Sequence, residues 1–367
     1  MGNVQEICFR GRADFRNSMK RRGDIIKRIL NDREILERLY HVHQLSLNDI
    51  ALLLGINEAK LSRAFKRLGI PTRPMSDAVS LAKSRGKYKP YDNDELFSAE
   101  MLALTHTDFH VYHEKRKIKI STTTTHITQI KFFSDIIDRH GYGPVKCTPH
   151  KYGRKIPRFE KVSDFCWRTY VYLDESFDFL LSKDIKFEDY DEERLLIHFT
   201  RALECDGGIN IHVIHGRIYG DLFITSKVNY NYLRKLGEAF AKTFKVQPRL
   251  TIKQDGMAYL YFTVTDRIID VLEKMPIIHP EEAWRKEFLL ENHHTAATPE
   301  KLEALHRFKM EVKALVKITT ELAKERHGLP KGKKVINAKD LINLVVKRYQ
   351  QSSNAPPLFP FFSNPNL

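Results

Sequence analysis

The feature that most constrains this fold is an order of helical and strand-forming patterns that occurs twice between Leu96 and about His293. Helices are predicted from a period of 3.6 residues in the apolar positions, and strands from a period of two. The first unit is predicted to contain a helix over 98–108, a strand over 110–120, a helix over 127–140, strands near 145–150 and 166–173, and a helix over 174–183. The second is predicted to contain a helix over 192–206, strands over 209–214 and 221–225, a helix over 229–243, strands near 249–254 and 258–264, and a helix over 266–274.

Three pairs of residues align the two units: Asp108 with Asp206, Ile120 with Phe223, and Asp174 with Asp266. The spacing within these pairs differs by a few residues, which indicates loops of unequal length. A period of about 100 residues is too long for a solenoid repeat. The sequence therefore predicts a duplicated αβ domain whose halves are related by a pseudo-two-fold axis.

Each unit opens with a helix that ends in an aspartate, within residues 102–109 and 200–208. Small residues recur at helical spacing in both, as Ala99, Ala103 and Thr107 in the first unit and Ala202 and Cys205 in the second. Small residues at this spacing allow two helices to approach closely. We therefore expect the two helices to pack together and bring Asp108 and Asp206 side by side.

Two adjacent carboxylates at helix C-termini repel each other and the helix dipoles. A bound cation would relieve this repulsion, and Mg²⁺ prefers such oxygen ligands. Paired carboxylates that hold metal ions at a phosphate are typical of phosphodiester hydrolysis. Each aspartate alone would be unremarkable at a helix end, so the prediction depends on the pair.

These two segments resemble the paired motifs of the LAGLIDADG homing endonucleases, the first in a degenerate form. The resemblance covers about 96–293 and implies an α+β fold of duplicated αββαββα halves, in which two four-stranded sheets form a saddle on DNA. It also implies double-strand cleavage with a divalent metal, with Asp108 and Asp206 as the catalytic, metal-binding acids.

The two segments depart from the family motif at several positions. In this alignment Leu104 and Ala202 replace the motif glycine, and Phe109 replaces the closing glycine that Gly207 keeps. Thr105 and His106 replace the usual apolar–acidic pair in the first unit. Cleavage of both strands, nicking of one strand and binding without cleavage all stay open.

Basic residues follow both motifs and indicate a nucleic-acid surface. His113, Lys115, Lys117, Lys119 and Ser121 share one parity of the predicted strand, and Arg249, Thr251 and Lys253 share one in the second unit. A loop adds Lys151, Arg154, Lys155 and Arg158 for phosphate contacts. Lys227 and Lys253 are candidates, by the family resemblance, for the basic residues near the scissile phosphate. A solvated sheet face is the alternative interpretation.

Residues 33–70 predict three helices, the second capped by Ser46 and the third by Asn57. Gly55 separates the last two, which is typical of a helix-turn-helix. We expect the third helix and the segment after it to contact DNA through Lys60, Arg63, Lys66, Arg67 and Arg73. The alternative is an ordinary three-helix bundle with a charged outer face.

The predicted organisation has seven parts along the chain. These are a basic N-terminal arm over 1–30, a helix-turn-helix over 31–77, a linker over 78–95, repeats over 96–190 and 191–293, C-terminal helices over 294–350, and a disordered tail over 351–367. The four cysteines form no zinc-ligand or disulfide pattern. We expect no signal peptide and no membrane partner, and therefore a cytoplasmic protein.

The formal net charge of +15 indicates a polyanionic partner. The favoured interpretation is a monomeric, Mg²⁺-dependent, site-specific endonuclease of the homing type that acts on double-stranded DNA. A non-catalytic DNA-binding transcription regulator on the same scaffold and a maturase that binds intron RNA are the alternatives.

Overall fold

The computed structural model describes residues 24–43, 45–74, 88–151, 164–182, 184–226, 229–254 and 256–351. Residues 1–23 of the predicted N-terminal arm, residues 75–87, which include the first part of the predicted linker over 78–95, and residues 352–367 of the predicted tail over 351–367 lie outside the described residues. The chain divides into two compact structural units, Met1–Arg85 and Gly86–Leu367, and both sequence repeats lie in the second of these. The term unit refers to these two parts from this point, and the duplicated segments are called the first and second repeat.

The described part of the first unit is helical. Residues 24–31 form α1, and α2 (Arg33–Glu37) continues as a π-helix over Arg38–Val42. Helices α3 (Leu47–Leu54) and α4 (Glu58–Arg67) follow. Ser46 and Asp49 form a capping box at the start of α3, and Gly55 ends this helix at a φ of 66°, a left-handed conformation that favours glycine. The core that holds these helices together consists mainly of Leu36, Tyr40, Ile50, Ala51, Leu61, Ala64 and Phe65.

The second unit contains the two predicted repeats, and its α+β class is confirmed. The first repeat consists of α5 (Glu95–His106), β1 (His110–His113), β2 (Ile118–Thr124), α6 (Ile127–Arg139), β3 (Lys146–Lys151), β4 (Phe165–Leu173) and a 3-10 segment, Glu175–Leu181. The second consists of α7 (Glu192–Asp206), β5 (Gly207–Ile214), β6 (Arg217–Ser226), α8 (Tyr230–Phe244), β7 (Arg249–Ile252), β8 (Ala258–Thr263) and α9 (Asp266–Lys274). The predicted single strand over 110–120 is wrong, since β1 and β2 form a hairpin there.

The two sheets are antiparallel and have the same connectivity, β1-β2-β4-β3 in the first repeat and β5-β6-β8-β7 in the second. The first sheet has a fifth strand, β9 (Ile336–Asn337), which pairs with β3. The expectation of two four-stranded sheets is therefore wrong for the first repeat, because a C-terminal segment extends its edge.

The strand register gives the true equivalence of the repeats. His110 pairs with Ser121, and Gly208 pairs with Phe223, so Ser121 rather than Ile120 is equivalent to Phe223. Ile120 is fully buried, as is its true counterpart Leu222. The predicted alignment was one residue out of register, and such a slip exchanges the two faces of a strand.

The third aligned pair, Asp174 with Asp266, is also one residue out of register, because Asp174 caps the 3-10 segment whereas Thr265 caps α9. Asp266 is the first residue of α9 rather than the counterpart of Asp174. Phe177 and Ile268 are both buried behind these caps.

The C-terminal helices α10 (Pro280–Asn292), α11 (Pro299–His327) and α12 (Ala338–Gln350) complete the core of the first repeat or bridge the repeats. Trp167 of β4 donates its indole N–H to the carbonyl oxygen of Thr319 in α11 over 2.9 Å. Phe308, Leu315 and Ile318 of α11 are buried in the same core. No described helix is long and apolar enough to cross a membrane.

Candidate active site between the two motif helices

The helices α5 and α7, which we call the motif helices, pack directly on each other. Ala103 of α5 is fully buried and belongs to the core of the second repeat, whereas Leu104 belongs to the core of its own repeat. Leu104 therefore points away from the helix interface and does not crowd it. The residue that faces the neighbouring helix is Ala103, and the predicted motif alignment was again one position out of register.

The residue of the second repeat that is equivalent to Ala103 is Arg201. Ala202 instead faces the core of the second repeat. The side chain of Arg201 is 1% exposed and donates to Glu100 of α5 from Nε over 2.8 Å. It also bonds to Glu204 and donates to the carbonyl oxygen of Pro276 over 2.9 Å. A long cation thus occupies a position where close helix approach favours a small residue, and buried carboxylates of both repeats compensate its charge.

This network was absent from the sequence-based prediction. Helical spacing places Arg201 and Glu204 on one face of α7, which was the available signal. Their burial depended on knowing the partner helix. Burial and the neighbouring His140 and Arg201 side chains act in opposite directions on the pKa of Glu100, which falls to about 2.

Asp108 and Asp206 lie close together at the ends of the two motif helices. Asp206 is the last residue of α7 and half-buried, whereas Asp108 is exposed two residues beyond the end of α5. Burial raises the pKa of Asp206 far above the usual aspartate value, and a hydrogen bond and charge repulsion from Asp108 raise it further. A proton is therefore held at this carboxyl pair when no cation neutralises it.

The surroundings of the two aspartates are fixed by backbone contacts. The hydroxyl of Thr225 donates to the backbone carbonyl of Asp206 over 2.7 Å. Gly207 passes so close to β6 that a Cβ atom there would lie 2.0 Å from the carbonyl oxygen of Phe223. Beneath the pair, the Cys205 thiol is hydrogen-bonded with Thr107 of the other motif helix, and burial raises its thiol pKa well above the usual value.

The residues at this site suit a hard divalent cation. In the part of the chain that the structure describes, no cluster of three or more His, Cys, Asp or Glu side chains forms an all-protein metal site. Mg²⁺ is usually held by one or two carboxylates, with water and substrate phosphate completing its shell. The half-buried Asp206 and the exposed Asp108 would supply two such carboxylates.

The basic residues of the first repeat do not form the single predicted row. Lys115 has a φ of 60° in the hairpin turn, where Lys117 also lies just before β2. His113 pairs with Ile118 and so faces away from Lys119, while Tyr112 pairs with Lys119. Only Lys119 of these lysines is a strand residue, and its Nζ lies 4.7–5.4 Å from the ring centroids of Tyr112, Tyr170 and Tyr172.

On the second sheet, Arg249 pairs with Tyr261 and is exposed. Lys253 lies just after β7, with its Nζ 3.9 Å from the ring centroid of Tyr259. Lys146, which pairs with Tyr170 in the first sheet, is the structural counterpart of Arg249 and was absent from the sequence-based prediction. Lys151 is exposed at the end of β3. Lys227, Arg154 and Lys155 lie outside the described residues.

The predicted DNA contacts of the first unit differ in their surroundings. Lys60, Arg63 and Lys66 are exposed on α4. Arg67 instead donates to the carbonyl oxygen of Leu30 over 2.9 Å and to Asn31 over 2.7 Å, so it braces α4 against α1. Arg73 lies over the ring of Tyr40, 4.0 Å from its centroid.

No protein-family model and no curated protein sequence matches the chain. Among solved structures, the homing endonuclease I-WcaI bound to its DNA recognition sequence is similar at 16% identity and a TM-score of 0.41, over 60% of this chain and 97% of that chain. I-DmoI in complex with DNA and Ca is similar at 14% identity and a TM-score of 0.35, over 59% and 100%. The N-terminal LAGLIDADG domain of WhiA is similar at 11% identity and a TM-score of 0.34, over 57% and 93%. The structures that this chain is similar to are thus LAGLIDADG proteins, at low identity.

Proposed function

We propose that this chain is a divalent-metal-dependent endonuclease of the homing type that acts on double-stranded DNA. The observation that carries the proposal is the pairing of Asp108 with Asp206 at the ends of two packed, equivalent helices, where burial and mutual repulsion raise the pKa of Asp206. A carboxyl pair of this kind is unfavourable for folding alone, because each charge destabilises the other. Binding a cation would offset that cost.

The two carboxylates would hold Mg²⁺, which supplies charge neutralisation at a phosphate and lowers the pKa of a bound water. Asp206 would be the better-oriented ligand, because Thr225 and the close approach of Gly207 hold its backbone. Asp108 is exposed and would face the substrate. Lys253, held over Tyr259, and Lys227 are proposed as nearby basic residues.

Positive side chains on both repeats would contact the phosphates. Lys119 and Lys146 lie on the first sheet and Arg249 on the second. Lys115, Lys117 and Lys151, together with Arg154 and Lys155, would add positive charge for these contacts. In the first unit, Lys60, Arg63 and Lys66 would contact DNA as part of a helix-turn-helix, because these side chains are exposed on α4. Contacts of this kind make binding strongly dependent on salt.

The test is cleavage of the DNA that flanks the chain's own gene, joined without the intervening insertion, in the presence of Mg²⁺. We expect metal-dependent cuts that Asp206→Asn abolishes. Asp178→Asn is the matched control, since Asp178 is an exposed aspartate outside the site. Asp108→Asn distinguishes loss of one strand cut from loss of both.

Tight duplex binding without cleavage by any divalent metal would overturn the nuclease proposal and support a DNA-binding regulator. The regulator is the second candidate because Phe109, in place of the closing glycine, is buried in the first core rather than leaving a close backbone approach. Preferential binding of structured intron RNA would instead support a maturase. The monomeric state and the cytoplasmic location stay predictions.

A further inference from the structure

The outer face of the second sheet carries aromatic rings on its two central strands. Phe223 of β6 pairs directly with Tyr261 of β8, and Thr225 pairs with Tyr259. The neighbouring residues Leu222, Ile224, Leu260 and Phe262 are buried in the core. Because strand side chains alternate between faces, the three rings lie on the opposite, partly exposed face. We call Phe223, Tyr259 and Tyr261 the aromatic platform.

The rings of the platform contact one another, with Tyr259 and Tyr261 stacked and Phe223 tilted against Tyr261. The centroids of Tyr259 and Tyr261 are 5.5 Å apart with an interplanar angle of 5°, and those of Phe223 and Tyr261 are 6.3 Å apart at 36°. Phe223 is two residues along β6 from Thr225, which bonds to Asp206. The platform therefore begins beside the candidate active site.

Positive charge borders the platform. Arg249 pairs with Tyr261 across β7 and β8, and the Nζ of Lys253 lies 3.9 Å from the Tyr259 centroid. The acidic residue on this face of β6 is Asp221, which lies beyond Phe223 on the side away from Asp206. Its Oδ2 atom lies 3.8 Å from Nδ1 of His212. The platform thus combines ring faces with cations that fit the phosphates of a polynucleotide.

The first repeat uses its equivalent face differently. Tyr170 is the counterpart of Tyr261, but Lys119 lies 4.7 Å from its centroid, and Lys117 lies 3.4 Å from the centroid of Tyr172. Those rings already contact cations of the chain. Among the described residues, no cation lies over Phe223 or Tyr261, and both residues are partly exposed.

We propose that the aromatic platform binds single-stranded polynucleotide by stacking unpaired bases on Phe223 and Tyr261. A duplex exposes base edges and phosphates in its grooves, while its base faces are covered by neighbouring pairs. Aromatic rings on the central strands of an antiparallel sheet suit unpaired bases, which keep a free π-face. This binding does not depend on the proposed cleavage.

Fluorescence anisotropy with single-stranded oligonucleotides of about 12 nucleotides tests the proposal, with a duplex of the same sequence as comparison. EDTA is present throughout, so cleavage cannot affect the result. Tyr261→Leu and Phe223→Leu are each expected to weaken single-strand binding about tenfold while affecting duplex binding much less. Tyr261→Phe keeps the ring, and Tyr230→Leu removes an exposed ring outside the sheets, so both are expected to bind as the wild type does.

Unchanged single-strand affinity in the leucine variants, or an equal loss for the duplex, would overturn the proposal. The wild-type protein gives a second measurement that needs no variant: ultraviolet cross-linking to single strands is expected at β6 and β8, and its absence there would also overturn it. RNA and DNA strands are both used. Binding of both supports stacking on bases alone, while binding of RNA alone identifies RNA as the partner.

Discussion

Arg201 and Glu100 form a hydrogen-bonded ion pair, 2.8 Å from Nε to Oε1, in the interface between the two motif helices. Both side chains are at least 95% buried. Glu204, which shares the same guanidinium, accepts hydrogen bonds from the backbone N–H groups of Ile278 and His279 over 2.5 and 2.7 Å. One arginine therefore connects both motif helices to the segment that leads into α10.

Replacement of Arg201 by leucine is expected to destabilise the second unit by roughly 3–5 kcal/mol, because Glu100 and Glu204 would stay buried without their cation. The free energy of unfolding in urea is the measurement. Arg234→Leu is the control, since its ion pair with Glu238 is exposed and should contribute at most about 1 kcal/mol. Equal effects of the two changes would contradict the importance of the buried network.

Asp206→Asn is expected to stabilise the protein in EDTA at neutral pH by about 1 kcal/mol or more. Because the folded-state pKa of Asp206 is raised, its contribution to stability is present below the unfolded pKa and is lost as pH rises through the folded pKa. The difference between wild type and variant should therefore disappear near pH 4, a value close to the unfolded pKa.

Titration with Mg²⁺ or Ca²⁺ gives the complementary result. The wild type should gain stability with added cation and release protons on binding, since the pair must lose its proton to bind metal. The Asp206→Asn variant should show neither effect. A wild type that is insensitive to both pH and cation would contradict the metal assignment.

Gly207→Ala is expected to destabilise the protein by more than about 2 kcal/mol and to weaken cation binding. The added Cβ would lie 2.0 Å from a backbone oxygen, so β5 and the adjacent Asp206 would have to move. Gly332→Ala is the matched change, because nothing lies within 4 Å of a Cβ at that position. Thermal unfolding and cation titration of both variants provide the comparison.

Lys60→Ala and Lys66→Ala should each weaken duplex binding across all sequences, without changing stability. Each should also reduce the slope of log affinity against log salt concentration by about one. Arg67→Ala should instead lower the stability of the first unit, because its bonds to Leu30 and Asn31 hold α4 against α1. Binding measured against salt concentration, together with thermal unfolding, separates these outcomes. A salt slope that no lysine change affects would argue against α4 as a DNA contact.

Local patterns in the sequence determined most of the secondary structure. The helices Glu192–Asp206 and Asp266–Lys274 have the predicted bounds. The capping residues and the apolar periodicity that define such a helix lie in the helix itself or directly next to it. The duplication and the acidic ends of the two motif helices were also visible in the sequence. These features depend on residues that are neighbours along the chain.

Only the tertiary structure decided which face of each element meets a partner. Ala103 rather than Leu104 enters the helix interface, Ser121 rather than Ile120 matches Phe223, and β9 extends the first sheet. A shift of one residue changes the face of a strand or helix without altering its periodicity, so the sequence pattern alone does not distinguish the alternatives. Burial of Arg201 likewise required Glu100, a residue of the other repeat, to compensate its charge.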